Sequence, residues 1–354
     1  MVTAEERQAA YQLTEDLSTH PGDIAILAPY RKYMLYKCNT PELGPGIGCS
    51  FKDMKASFGA WSVPALLKAT RAMIDRAGEE DFMIPVYSEE EIAADPEKED
   101  VKLFWFPAGY EDDGNGGKRL IGADRPFVIA IAGGAYTSVC SLAESFPTAA
   151  SLNQLGINVF CLNYRVNESE MPKIKEALMP KPLDDVAAAL QCIYAHMDYF
   201  GIKTKEYAVA GWSAGASLTV QWGAANHGYP HYGLPKPKVL FPIYPVIEAA
   251  AQMPDSADWF LTIMFGPGYD KETVEAYDIP KVITDDYPPC YIVHALDDDM
   301  VPVENSYKLE KLLQERNIPV HFEVIESGGH GFGDGSGMKA EGWPERAVAF
   351  MDQL

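Results

Sequence analysis

From about residue 100 onward, short apolar runs alternate with stretches of helical periodicity, and this rhythm constrains the fold more than any other feature. INVFCLNYR (157–165), KEYAVAGW (205–212), PKVLFPIYPV (237–246), PCYIVHAL (289–296) and VHFEVIES (320–327) read as strands. PLDDVAAALQCIYAHMDYFG, AGASLTVQWGAANHG, VENSYKLEKLLQERN and the closing WPERAVAFMDQL read as helices. A strand that must return parallel to its predecessor needs a crossover, and a helix is the usual crossover. The pattern therefore predicts an α/β domain with a mainly parallel central sheet and helices on both faces. Its strands are almost continuously apolar, as strands covered on both sides must be. VKLFWFPAG and RPFVIAIAGG flank the turn cluster DDGNGG, which predicts a hairpin at the start of the sheet. Residues 247–287 break the rhythm with helix-like and Pro/Gly-rich pieces and read as an insertion, a common way of building a pocket.

Residues 1–98 follow another pattern. TAEERQAAYQLTEDL and VPALLKATRAMIDRAG are amphipathic helices, and PELGPGIGCSFKDMKASFGAW between them reads as irregular. This helical segment is expected to form a packing layer or a lid on a catalytic domain spanning 99–354. Six scattered cysteines without a CxxC read as free thiols rather than a disulfide framework or zinc site. The formal charge of −22 argues against nucleic acid and anionic membrane as partners. No window approaches a membrane span, and the N-terminus lacks the basic start and apolar stretch of a signal peptide. A cytoplasmic location is the expectation.

The chemistry concentrates at GWSAG (211–215). A serine hydroxyl is a weak nucleophile unless a base takes its proton and the developing oxyanion is stabilised. On a sharp strand-to-helix turn its Oγ is exposed at the carboxyl end of the sheet, provided the residues two before and two after are small. Gly211 and Gly215 meet that requirement, and Ala214 can offer its backbone N–H to the oxyanion at the helix N-terminus. The pentapeptide alone is weak, arising by chance in about one chain in ten of this length. Its setting and the partners that follow make it specific. His330, in the loop ESGGHGFGDG, is free to swing over a site, whereas the other six histidines lack such a setting. HALDDDMVP offers Asp297, Asp298 and Asp299, any of which could orient an imidazole. Serine, aspartate and histidine in that chain order separate this arrangement from other serine-triad folds.

AGGAY (132–136), LNYR, PLDDVAAAL, GWSAG, YPV, LDDDMVP and GGHGF together resemble the α/β-hydrolase fold. Within it they are similar to the carboxylesterases related to hormone-sensitive lipase and to acetyl-xylan and feruloyl esterases. The resemblance covers residues from about 100 to 354. It implies an oxyanion hole formed by the N–H groups of Gly134 and Ala135 beside Ala214, and it selects Asp298, four residues before Pro302. The chain departs from the usual H-G-G loop by placing Ala132 where the histidine would stand.

These readings lead to a serine carboxylesterase for small to medium acyl groups, with Ser213 as nucleophile, His330 as base and Asp298 as acid. The implied partner is a small-molecule ester, no metal or organic cofactor is required, and a homodimer stays open. Tyr136, Trp212, Trp259 and Phe265 are candidate pocket residues, with Phe260 and Trp61 as further aromatic walls. A peptidase of the prolyl-oligopeptidase type shares the fold and triad order, but no propeller repeat is present. A non-catalytic binding protein on the same scaffold would predict a broken triad. A dinucleotide enzyme fails because no G-x-G-x-x-G joins a strand to a helix.

Overall fold

The computed structural model describes residues 2–38, 48–57, 59–170, 173–253 and 255–354. Its strands are β1 (Met83–Pro85), β2 (Lys102–Phe106), β3 (Tyr110–Asp112), β4 (Lys118–Leu120), β5 (Phe127–Ile131), β6 (Val159–Asn163), β7 (Tyr207–Trp212), β8 (Val239–Ile243), β9 (Cys290–Ala295) and β10 (Val320–Ile325). Eight of them form one sheet in the order β1-β2-β6-β5-β7-β8-β9-β10. From β6 to β10 all neighbours run parallel, while β1 and β2 join antiparallel at one edge. Every residue of β5, β6, β7, β8 and β9 is buried, as their unbroken apolar character requires.

The hairpin expected from VKLFWFPAG and RPFVIAIAGG does not form between those runs. β2 pairs with β6, and β6 lies between β2 and β5. The turn cluster instead closes a separate two-stranded ribbon, β3 with β4. There Asp113 Oδ1 accepts the backbone N–H groups of Asn115 and Gly117 at 2.8 and 2.9 Å, a local Asx arrangement that satisfies the turn without any long-range pairing.

Two further differences concern the N-terminal part. It is not wholly helical, because β1 extends the main sheet against β2. The stretch read as irregular contains the helix Phe51–Ser57, while residues 41–47 and 58 of it lie outside the described residues. The expected helices are present as Ala4–Leu13, closed by a Thr3/Glu6 capping box, and Val63–Arg76, capped by Ser62 with Pro64 in its first turn. Leu66, Met73 and Ile74 of the second are fully buried in the same hydrophobic cluster as β2 and the helix Ser145–Gln154. All six cysteines are free. No helix among the described residues is long and apolar enough to cross a membrane.

The strand order explains where a site can lie. The chain leaves β5 towards β6 on one side, then returns to β7 on the other side of β5. Loops leaving adjacent strands in opposite directions open a crevice at their carboxyl ends. The loops after β5 and β7 carry the AGGAY segment and Ser213.

Candidate active site

The register of the sheet assembles the site. Ile131 pairs with Gly211 and Trp212 with Ile243, so the end of β7 is gripped from both sides. Ser213 N–H donates to Ile243 O at 3.0 Å, and Ser213 itself adopts φ +54°, ψ −119° before the helix Ala214–Trp222 begins. That backbone is unfavourable for a side-chain-bearing residue, costing about 1–3 kcal/mol, and persists because the surrounding sheet over-determines it. A Cβ on Gly211 would overlap the carbonyl of Gly215, and one on Gly215 would overlap the carbonyl of Ile131. The two flanking glycines are thus fixed by close packing.

His330 Nε2 lies 2.8 Å from Ser213 Oγ, and His330 Nδ1 lies 2.7 Å from Asp298 Oδ2. A carboxylate only accepts, so Nδ1 carries the proton and Nε2 is left to accept the serine hydroxyl. Asp298 has no exposed side-chain surface. Burial pushes its carboxyl up, but hydrogen bonds from His294 and His330, the charge of His330 and the Val301 N–H outweigh it and hold the group ionised, well below the usual carboxylate range. Its Oδ1 accepts the N–H groups of Met300 and Val301 at 3.0 and 2.8 Å. Asp297 serves differently, accepting Gly328 and Gly329 N–H at 2.8 Å each and so fixing the entry to the histidine loop. Asp299 is exposed.

The loop after β5 bends back sharply, with Gly134, Ala135 and Tyr136 all at positive φ. The N–H groups of Gly134, Ala135 and Ala214 donate to no backbone oxygen among the described residues. These are the donors an oxyanion would need.

Several contributors escaped the sequence reading. His294, placed there only within a strand, is fully buried. Its Nε2 lies 3.2 Å from Asp298 Oδ2 and 3.0 Å from Val301 O, while Nδ1 faces Ser306 Oγ at 2.7 Å. The loop that lacks the usual histidine at Ala132 is braced otherwise. Tyr164 Oη donates to Ala132 O at 2.9 Å, and Gly133 N–H donates to Glu144 Oε2 at 2.5 Å. A lone glutamate inside the otherwise apolar and small CSLAESFPTAAS was the one sequence signal for Glu144.

The aromatic candidates fare unequally. Trp212 is wholly buried, donates from its indole N–H to Gly333 O at 3.2 Å and meets Trp343 edge-on. It braces the histidine loop instead of presenting a wall to substrate. Tyr136 is fully buried, its ring 5.6 Å from that of Phe260. Phe260 and Phe265 border a cavity of about 20 Å³ that also touches Ser217, one helical turn beyond Ser213. Trp259 is half-buried and donates to Ser169 O at 3.1 Å. Trp61 lies against the histidine loop, since a Cβ on Gly331 would come within 3.2 Å of its indole nitrogen.

The N-terminal layer also latches that loop. Ser62 Oγ donates to Ser336 O at 2.6 Å, and Lys68 Nζ reaches Asp334 Oδ2, Ser336 Oγ and Ser151 Oγ at 2.7, 2.7 and 2.8 Å. Asp334 has no exposed side-chain surface, whereas 31% of Lys68 remains exposed. Removing the ammonium strands a buried carboxylate, which costs about 3–5 kcal/mol when water cannot enter. With Lys68 partly wet, Lys68→Met is expected to lower stability by about 2–3 kcal/mol. Urea titration should show the midpoint falling at constant slope; an unmoved midpoint would mean that Asp334 finds another partner.

Among the described residues no group of three or more histidine, cysteine, aspartate and glutamate side chains could hold a metal ion.

Residues 120–233 match the protein family described as BD-FAE. The chain is 30% identical over 227 residues to the endo-1,4-beta-xylanase B of Butyrivibrio fibrisolvens, covering 62% of this chain and 34% of that one. It is 25% identical over 216 residues to the acetylxylan esterase of Xylanibacter ruminicola, covering 60% of this chain and 42% of the relative. The chain therefore spans well under half the length of either relative. Among solved structures it is similar to the acetyl ester-xyloside bifunctional hydrolase of Caldicellulosiruptor lactoaceticus. That superposition has a TM-score of 0.61 at 24% identity and covers 77% of this chain and 96% of the other.

Proposed function

We propose that this chain, which has the α/β-hydrolase fold, is a serine esterase that removes short acyl groups, acetyl first among them, through an acyl-enzyme. The observation that carries the reading is the unbroken relay from Asp298 Oδ2 to His330 Nδ1 and from His330 Nε2 to Ser213 Oγ, at 2.7 and 2.8 Å. His330 takes the Ser213 proton as Oγ attacks the ester carbonyl. Asp298 holds the ring and balances the imidazolium charge. The N–H groups of Gly134, Ala135 and Ala214 receive the oxyanion. His330 then protonates the departing alkoxide, and water repeats the sequence on the acyl-enzyme. The names of the xylan-associated relatives support a sugar hydroxyl as the leaving group.

Acyl size is the testable consequence. Phe260 and Phe265 lie beside Ser217, one turn beyond Ser213, and Trp61 lies against the histidine loop. Bulky aromatic side chains close to the nucleophile and to its base favour short acyl chains. Acetyl to butyryl p-nitrophenyl esters are expected to be cleaved with a higher kcat/KM than octanoyl and longer ones, and acetylated xylan should release acetate. An aminoacyl-anilide panel run alongside would reveal a peptidase. A profile rising steadily with chain length would replace the confined pocket by an open groove.

A further inference from the structure

We propose that Glu144 is a positioning residue of this site: its carboxylate clamps the oxyanion loop at Gly133 and, through Tyr244, the histidine loop, and full turnover requires its ionised form. The inference rests on the esterase reading and extends it to a side chain outside the triad.

Glu144 stands at the N-terminal end of the helix Ser145–Gln154 and is 4% exposed. Both of its oxygens accept. Oε2 takes the Gly133 N–H at 2.5 Å, and Oε1 takes the Tyr244 hydroxyl at 2.9 Å. Gly133 directly precedes the residues whose N–H groups face the oxyanion, and a Cβ there would touch Ser213 Cβ at 2.7 Å. A displacement of Gly133 is therefore a displacement of the donors relative to the nucleophile. Tyr244 directly follows β8 at φ +43°, and its ring lies 4.7 Å from the His330 imidazole and 4.8 Å from Phe332. Its hydroxyl also interacts with the Gly333 backbone. One buried carboxylate thus ties together the segments that follow β5, β8 and β10.

Electrostatics give the clamp a pH dependence. Burial pushes the Glu144 carboxyl up to about 7, against the opposing effects of the Gly133 N–H, the charge of His330 and the Tyr244 hydroxyl. The other titratable groups facing it are Cys140 on its own stretch, Cys38 from the N-terminal layer and Tyr164 after β6. A proton on Oε1 turns the Tyr244 bond round, because a tyrosine hydroxyl can accept as well as donate, and it leaves the Gly133 N–H with a neutral acceptor in place of a charged one. The negative charge beside His330 is lost in the same step, and with it some stabilisation of the imidazolium formed during attack.

Glu144→Gln keeps the shape and an acceptor for the Gly133 N–H, but it removes the charge and meets the Tyr244 hydroxyl only as a donor. Its kcat is expected to fall about 10- to 100-fold with KM within about twofold, the scale of a misplaced catalytic group. The acid limb of kcat/KM should be less steep by one proton in E144Q than in the wild type, because the variant has no carboxylate at this position to take one up. Tyr244→Phe should lose less kcat and keep the steeper limb, since Glu144 still titrates. An E144Q enzyme with near-normal kcat, or one that is slow but retains the steeper limb, overturns the inference while labelling of Ser213 and ester cleavage by the wild type leave the esterase reading intact. A wild type that neither labels at Ser213 nor cleaves an ester overturns both.

Discussion

Ser213→Ala is expected to abolish labelling by a fluorophosphonate probe and to lower kcat by about 10⁵- to 10⁶-fold, the scale of nucleophile loss in other serine triads. The hydroxyl is the one atom that changes. Its partner is His330 Nε2 at 2.8 Å, and the strained turn that presents it is held by Ile243 O and by the packing of Gly211 and Gly215. Alanine at φ +54° meets the same backbone difficulty as serine, so folding should be nearly unaffected and the loss should be purely chemical. Active-site titration and intact-mass measurement after exposure to the probe check this directly. A labelled Ser213→Ala protein, or a label mapped to another serine of the wild type, would remove Ser213 from the mechanism.

How far the sequence disclosed this site depended on how local each determinant is. The turn at 211–215 was legible because strand, glycines, serine and helix are contiguous, and their packing demands are met within a few residues. The parallel sheet was legible because each buried strand is apolar throughout. The hairpin expectation failed where pairing is non-local. Nothing in VKLFWFPAG announces that its partner is INVFCLNYR, more than fifty residues away, with β6 inserted beside β5. Trp212 was misread for a related reason: an aromatic next to a nucleophile suggests a pocket, but its surroundings come from Gly333 and Trp343, far along the chain. Tyr244 and His294 were invisible, and Glu144 showed only as a lone acid in an apolar stretch, because each acts through contacts from other segments. Their residue types alone do not distinguish a clamp from an ordinary buried polar group.

The aspartate run is the place where geometry sharpens the sequence most, and it yields the second large effect. Asp298→Asn is expected to lower kcat by about 10⁴-fold. Asparagine retains the volume and can still accept the Met300 and Val301 N–H groups at the Oδ1 position. At the Oδ2 position its amide would face His330 Nδ1 and His294 Nε2, two groups that now donate to a carboxylate. To avoid a donor-donor clash His330 must move its proton to Nε2, the nitrogen that has to receive the serine proton. Asp297→Asn should be mild, because its Oδ1 keeps accepting the Gly328 and Gly329 N–H groups as a neutral amide oxygen. Asp297→Ala should cost more than Asp297→Asn, since those two N–H groups lose their acceptor and the entry to the histidine loop loosens. Asp299→Asn, on an exposed side chain, should change little. Steady-state kinetics on an acetyl ester for these four variants resolve the run. If Asp297→Asn were the crippling change, the acid would sit one residue earlier, and the 2.7 Å contact between His330 and Asp298 would not be the one used in turnover.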